Sequence, residues 1–437
     1  MHDGRDGGMT LDAAAGGSGG ISSSLRTRLL LFTLLATVFD GAELTLLAYF
    51  FPTLARDFHV GVPAIVAINT LQGLASLAGG LLFGPIGDRF GRRVTMLVTV
   101  FLYGASTLAG ALVHGLGLFT ATRIVAGLGI GGEFGAAFAI FNELWESKGR
   151  GRLGAVVQNM FVVGIVCTTL VGYLTTSGGA QSWRAAYLVI GACSLAIWGA
   201  VLLWMPESPL WREYARARQR GDLPPEFAVS GSTAGLFRGG LASTTVIGCV
   251  VASGIFYINY SLVLYEPTLL DRVHHLAAGA ATDVLLLGYA ALFCGSLTAG
   301  AIADARGRRT AAVTLAAVAL AGYAAYLLTW HSPLRGSIWD WPLFWALGAT
   351  NFGCGCIGVV GVWLGELYPT RLRATAENLV YYAGRGLGGS VLPLVAIGLT
   401  GGAVGPALGL GIAGAVIVGV AGPALAETRG RAIRAVE

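Results

Sequence analysis

GPIGDRFGRR (residues 84–93) and GAIADARGRR (residues 300–309) are one pattern written twice. Each follows a long apolar run, and each sets glycines, an acid and several arginines within ten residues. Two further pairs repeat in the same order. ELWESKGRGR starts at Glu143 and ELYPTRLRAT at Glu366, while PESP (206–209) is answered by AETRGR (426–431). The pairs stand 216, 223 and 220 residues apart. A nearly constant offset over three separate motifs marks an internal duplication, so the chain is two related halves.

Between the repeated loops the chain is apolar. Of its 437 residues 55% are hydrophobic and 12% charged, about half the charged share of an ordinary globular protein, and the mean hydropathy is +0.70. Apolar runs of about 20 residues, the length that spans a bilayer as a helix, recur twelve times. The reading is an all-α integral membrane protein rather than a soluble enzyme. Residues 1–27 form a disordered tail, 28–205 a six-helix half, 206–239 a linker loop, 240–424 a second six-helix half and 425–437 a tail. With the amino terminus inside, 22 Lys and Arg fall on the inner side and four on the outer: Arg56, Arg184, Arg272 and Arg335. Both termini are therefore expected in the cytoplasm, in a plasma (inner) membrane.

The same distribution accounts for the net charge of +5 without nucleic acid. Six cysteines lie inside apolar runs without metal-site spacing, and no G-x-x-x-x-G-K-[ST] loop is present, so no cofactor, metal or nucleotide hydrolysis is expected. The first apolar run is too long, and too acidic, for a cleavable signal peptide.

Five ionisable residues interrupt the apolar runs: Asp40, Glu43, Arg123, Glu133 and Arg385. A central charge costs about 2.5–3.5 kcal/mol on the insertion scale, so the five must face one another, water or a ligand. Asp40 and Glu43, three residues apart, share one helix face. Paired acids in a dry site favour holding a proton, and a nearby guanidinium opposes this; an acid whose charge depends on where an arginine is engaged can couple proton movement to transport. Asp40 and Arg385 sit at similar depths. Arg385, preceded by Tyr381 and Tyr382, suits bidentate binding of a carboxylate; pairing with Asp40 or Glu43 is the competing reading. Gln158, Asn159, Tyr257, Asn259 and Tyr260 are further polar groups at useful depths. Glu133, among glycines, reads as a helix-packing residue. The six histidines lie in the tail or loops, so any transported proton falls to carboxylates.

Twelve spans in two sixes, G-x-x-x-D-R-x-G-R-R after the second and eighth, and RIVAGLGIGGEF (123–134) on the fourth resemble the major facilitator superfamily over essentially the whole chain. The resemblance implies a substrate site between the halves near the midplane, with the first and fourth spans facing it, so that Asp40 or Glu43 is expected to meet Arg123. It also implies a cytoplasmic gate built from Gly84, Asp88, Arg89, Gly91, Arg92, Arg93 and Glu143 in the first half. Gly300, Asp304, Gly307, Arg308, Arg309 and Glu366 are their second-half counterparts, with Glu143 and Glu366 pairing with the arginines. Ala305 stands where the pattern usually has Arg. DGAE (40–43) is similar to an element of aromatic-acid:proton symporters, and GIGGEFGAA to sialate, lactate and metabolite:proton symporters. The function implied is proton-coupled uptake of a small carboxylate by a monomer in lipid. Asp40, Glu43 and Arg123 would handle the proton, and Arg385 with the polar groups named above the substrate. Sugar or inorganic phosphate symport is the alternative.

Overall fold

The computed structural model describes residues 23–144, 150–176, 182–220, 236–368 and 370–429. Residues 1–22 of the amino-terminal tail and the middle of the linker lie outside these residues, as do the side chains of Asp88 and Glu143.

The first half comprises α1 (Ser23–Tyr49), a short α2 (Phe51–Asp57), α3 (Val62–Phe90), α4 (Arg92–Leu112), α5 (Leu116–Leu144), α6 (Arg150–Thr176) and α7 (Ser182–Trp204). In the linker, α8 (Pro209–Arg220) is an amphipathic surface helix. The second half comprises α9 (Gly240–Arg272), α10 (Ala278–Arg306) and α11 (Arg308–Thr329). It continues with α12 (Pro342–Gly353), which runs through a 3₁₀ turn at Cys354–Val359 into α13 (Val360–Glu366). After α14 (Thr370–Gly386) a π-helical segment, Leu387–Val391, leads into α15 (Leu392–Leu399); α16 (Val404–Gly409) and α17 (Ile412–Ala421) follow. Among the described residues, ten segments are long and apolar enough to cross a membrane. The α5 helix and the α14–α15 rod complete twelve crossings in an all-α membrane fold.

The surface is inverted relative to a soluble protein. Leu82, Leu112, Leu174, Leu203, Leu328, Leu399 and Val420 stand exposed, while Asp40, Glu43, Arg123, Glu133 and Arg385 are buried. Lipid replaces water as the outer solvent, so burying leucine gains little there and polar groups drive the packing inward. Close approach of small residues supplies the rest: a methyl at Gly164 would run into the Val38 carbonyl, and one at Gly41 into that of Phe161. These contacts seat α1 against α6 and fix which face of α1 carries its acids.

Gly91 and Gly307 show why the repeated loops end in glycine. Their φ values are 107° and 112°, and each Cβ position is occupied by a glutamate, Glu207 and Glu427 respectively. Backbone in this region is essentially restricted to glycine, at a cost of about 1–3 kcal/mol for any other residue. Gly307→Ala is therefore expected to lower the unfolding temperature in detergent micelles. Gly419→Ala, at a position with open space around it, should leave it unchanged.

Candidate functional site

Four of the five buried charges sort into two clusters with different connectivity. Asp40 on α1 and Arg385 on α14 form a bidentate pair: Nη2 donates to Oδ1 at 2.8 Å and Nη1 to Oδ2 at 3.1 Å. Both residues are nearly inaccessible, at 2% and 1% exposure, and they belong to opposite halves. Phe161 of α6 lies 5.9 Å beneath the guanidinium carbon.

Glu43, one turn further along α1, stays within its own half. It accepts hydrogen bonds from the hydroxyls of Thr107 (2.5 Å) and Ser194 (3.1 Å). Arg123 donates to the same Thr107 hydroxyl at 3.0 Å and to the Ser106 carbonyl at 3.2 Å, with its guanidinium carbon 4.8 Å from the centre of the Tyr187 ring. The expected meeting of an acid with Arg123 thus occurs through a bridging hydroxyl, and the acid is Glu43. Asp40 turns to the other half instead. Only the first cluster has to break when the halves move apart.

Around the Asp40–Arg385 pair stand groups with unspent hydrogen-bonding capacity. The Tyr260 hydroxyl lies beside the guanidinium, yet it has no hydrogen-bond partner among the described residues, and neither has Arg385 Nε nor Gln158 Oε1. Gln158 approaches the Tyr381 hydroxyl. The Tyr381 ring stacks on Phe134 of the other half at 3.8 Å and meets Phe256 edge-on at 4.9 Å. Asn159 donates across the halves to the Phe293 carbonyl at 3.3 Å, leaving its own oxygen unpartnered. Tyr382 donates to the Ile130 carbonyl at 3.4 Å, also across the halves.

Two further candidate residues lie on α9 and make contacts within the second half. The Asn259 amide nitrogen is engaged by the carbonyls of Ile255 and Cys354, so it fastens α9 to the 3₁₀ turn. Tyr257 is buried and its carbonyl accepts from Ser261. Glu133, read from the sequence as a packing residue, has neither carboxylate oxygen hydrogen-bonded among the described residues. It lies beside Tyr103 and within electrostatic reach of Asp40 and Arg385.

Comparison with known proteins decides what these two facing halves are. The profile of the Major Facilitator Superfamily matches residues 33–393. The chain belongs to the Major Facilitator Superfamily. It is similar to the inner membrane metabolite transport protein YhjE of Escherichia coli (strain K12), at 28% identity over 75% of this chain and 77% of the relative. The cis,cis-muconate transport protein of Acinetobacter baylyi is 27% identical over 88% of this chain and 90% of its own. Among solved structures, the proton:xylose symporter XylE bound to 6-bromo-6-deoxy-D-glucose superposes with a TM-score of 0.74 at 17% identity. That alignment covers 94% of this chain and 98% of XylE. The protein is thus a multi-pass membrane transporter and not an enzyme.

In this facilitator the repeated loops carry a device that the motif alone does not reveal. Glu207 of PESP accepts from the backbone N–H groups of Arg92 (2.9 Å) and Arg93 (3.2 Å). Glu427 of AETRGR does the same for Arg308 (2.8 Å) and Arg309 (3.1 Å). Each glutamate caps the start of the helix after the loop, satisfying donors that no intrahelical partner can reach. Arg308 forms a bidentate pair with Glu366, both bonds 3.1 Å. Arg309 instead donates to the Pro423 carbonyl at 3.4 Å. Asp304 lies 3.5 Å from Arg308 and accepts from the Arg152 backbone of the first half at 3.3 Å, so at this end a motif acid crosses between halves. At the opposite end Arg272 donates to the Pro52 carbonyl at 3.2 Å and Thr70 to the Ser390 carbonyl at 3.0 Å. The halves therefore touch at both ends and in the middle.

Removing one member of a buried ion pair costs about 3–5 kcal/mol, whereas replacing both can be neutral. Arg385→Ala and Asp40→Ala should each lower thermal stability in detergent, and the double variant should recover part of the loss. Independent, additive losses would show that the two side chains do not depend on each other.

Proposed function

We propose that this transporter imports a small organic carboxylate together with protons, by alternating access, from an inner membrane in which both termini face the cytoplasm. The observation that carries the reading is the buried bidentate Asp40–Arg385 pair between the halves. A guanidinium fork that holds an aspartate in this geometry also fits the carboxylate of a substrate.

Charge balance then supplies the coupling. With Asp40 ionised and paired, the empty site is neutral. When Asp40 takes a proton, Arg385 is left uncompensated unless an anion replaces the aspartate. With the proton on Asp40 and a substrate carboxylate on Arg385 the site is neutral again. Both balanced states can close in a low dielectric, while a lone proton leaves a buried charge costing about 3–5 kcal/mol, a suppression of leak by roughly two to four powers of ten. Tyr260 and Gln158 have capacity to bind the rest of the substrate, and the Phe134–Tyr381 stack offers an aromatic wall. Glu43 and Arg123, tied through Thr107 inside one half, hold α1 in register and keep a second acid within reach of the proton path. Asp304 and Arg152 contribute to the gate at the end that carries the termini.

The Acinetobacter relative's name specifies muconate, an organic acid, which agrees with this reading. Phosphate would also satisfy Arg385; a sugar would leave the guanidinium without an anionic partner.

Uptake of labelled lactate, 4-hydroxybenzoate, cis,cis-muconate, phosphate and glucose into proteoliposomes, with and without an inward proton gradient, tests the assignment. One of the organic acids should accumulate only with the gradient; accumulation of glucose alone would overturn it. For that acid, Asp40→Asn should retain counterflow exchange and lose gradient-driven accumulation. Arg385→Lys should lower kcat/KM by about 10- to 100-fold, the loss of a charge-assisted fork, and wild-type uptake by this variant would remove Arg385 from the substrate site.

A further inference from the structure

One buried carboxylate lies outside this site. Glu266 of α9 stands six residues before the helix ends at Arg272, and it is 0% exposed. Its Oε2 accepts a 3.3 Å hydrogen bond from Asn351 Nδ2, and its Oε1 has no partner among the described residues. Gly288 makes room for the pair: a methyl there would lie 2.9 Å from Asn351 Nδ2 and 3.6 Å from Glu266 Oε1. Gly288 and Asn351 are ten and nine residues into α10 and α12, about 15 Å below the end where Arg272 lies. The acid is therefore well inside the protein.

Among the described residues its surroundings are uncharged. Tyr289 of α10, Tyr323 and Tyr326 of α11 and Cys354 of the 3₁₀ turn are the titratable groups within electrostatic reach. Among the described residues no cation balances Glu266. A carboxylate with one neutral amide donor and no counter-charge is far costlier ionised than as the neutral acid, whose O–H can also be hydrogen-bonded. Contrast Asp40, which has a guanidinium.

The position also connects to the closure between halves. Pro267 follows directly and lacks an N–H, so the Val263 carbonyl loses its helical donor and α9 is loosened there. Further along the same segment, Arg272 bonds to the Pro52 carbonyl of the opposite half. We propose that Glu266 is a second proton-binding site. It holds its proton as a neutral acid while the Arg272 end is closed, and exchanges it with the aqueous phase when α9 swings away from α2 at that end. The site shares with the proposed function only the rocking of the halves, and its test needs no substrate.

Infrared difference spectroscopy of the purified full-length protein in lipid vesicles at neutral pH reads the carbonyl stretch of protonated acids directly. Glu266→Gln should remove one such band, Glu266→Asp should keep it at a shifted position, and in the wild type it should exchange slowly with D₂O. Arg272→Ala, which loosens the closure, should speed that exchange by about tenfold. A spectrum unchanged by both Glu266 substitutions would show that the group is ionised and overturn the proposal. Exchange in Arg272→Ala at the wild-type rate would overturn the link to closure. Failure to transport any organic acid would count against the carboxylate reading and leave these spectra as they are.

Discussion

A charge surrounded by apolar groups persists only with a partner, and the arrangement of this molecule follows from that constraint. Asp40 and Arg385 satisfy it across the interface between two halves, so their pairing cannot be indifferent to how the halves sit. The Glu43–Thr107–Arg123 chain satisfies it inside one half and can ride unchanged through a rigid-body motion. The same requirement, met in two topologically different ways, separates a contact that must be exchanged from one that can be permanent.

The ends of the bundle show a related division of labour. In both halves a glutamate from the far end of the repeat caps the helix that follows the glycine-rich loop, which anchors the loop to its own half. Contacts between halves use other groups: Asp304 with Arg152 at one end, Arg272 with Pro52 at the other. Each half is braced internally by ion pairs and caps, while the joints between halves include single hydrogen bonds to backbone. Such an assembly favours two stiff bodies with a weak seam, the condition under which a small differential binding energy shifts a conformational equilibrium.

Much of the fold was legible because duplication and hydropathy are written directly in residue types. The offset loops gave the two halves, and Asp40 and Arg385 stood out because charge inside an apolar run has few causes. Partner choice was less visible. Arg123 reaches Glu43 through the Thr107 hydroxyl, and nothing in a sequence marks one of many threonines as a bridge. Glu207 and Glu427 were visible as repeated letters, but their partners are backbone N–H groups, which have no letter. Glu266 was hidden by a boundary: α9 extends to Arg272, and an acid followed by proline reads as the end of a span. Nor does composition show what Asn259 holds, since an amide that ties helix to turn is written with the same letter as one that binds a ligand.

The π-helical segment Leu387–Val391 begins two residues after Arg385. Widened turns of this kind are uncommon and sit mostly at functional sites. Here the widening lies between the turn that bears Arg385 and the start of α15 at Leu392. The guanidinium is thus carried on a crossing whose backbone ladder is interrupted just beyond it, not on an uninterrupted α-helix.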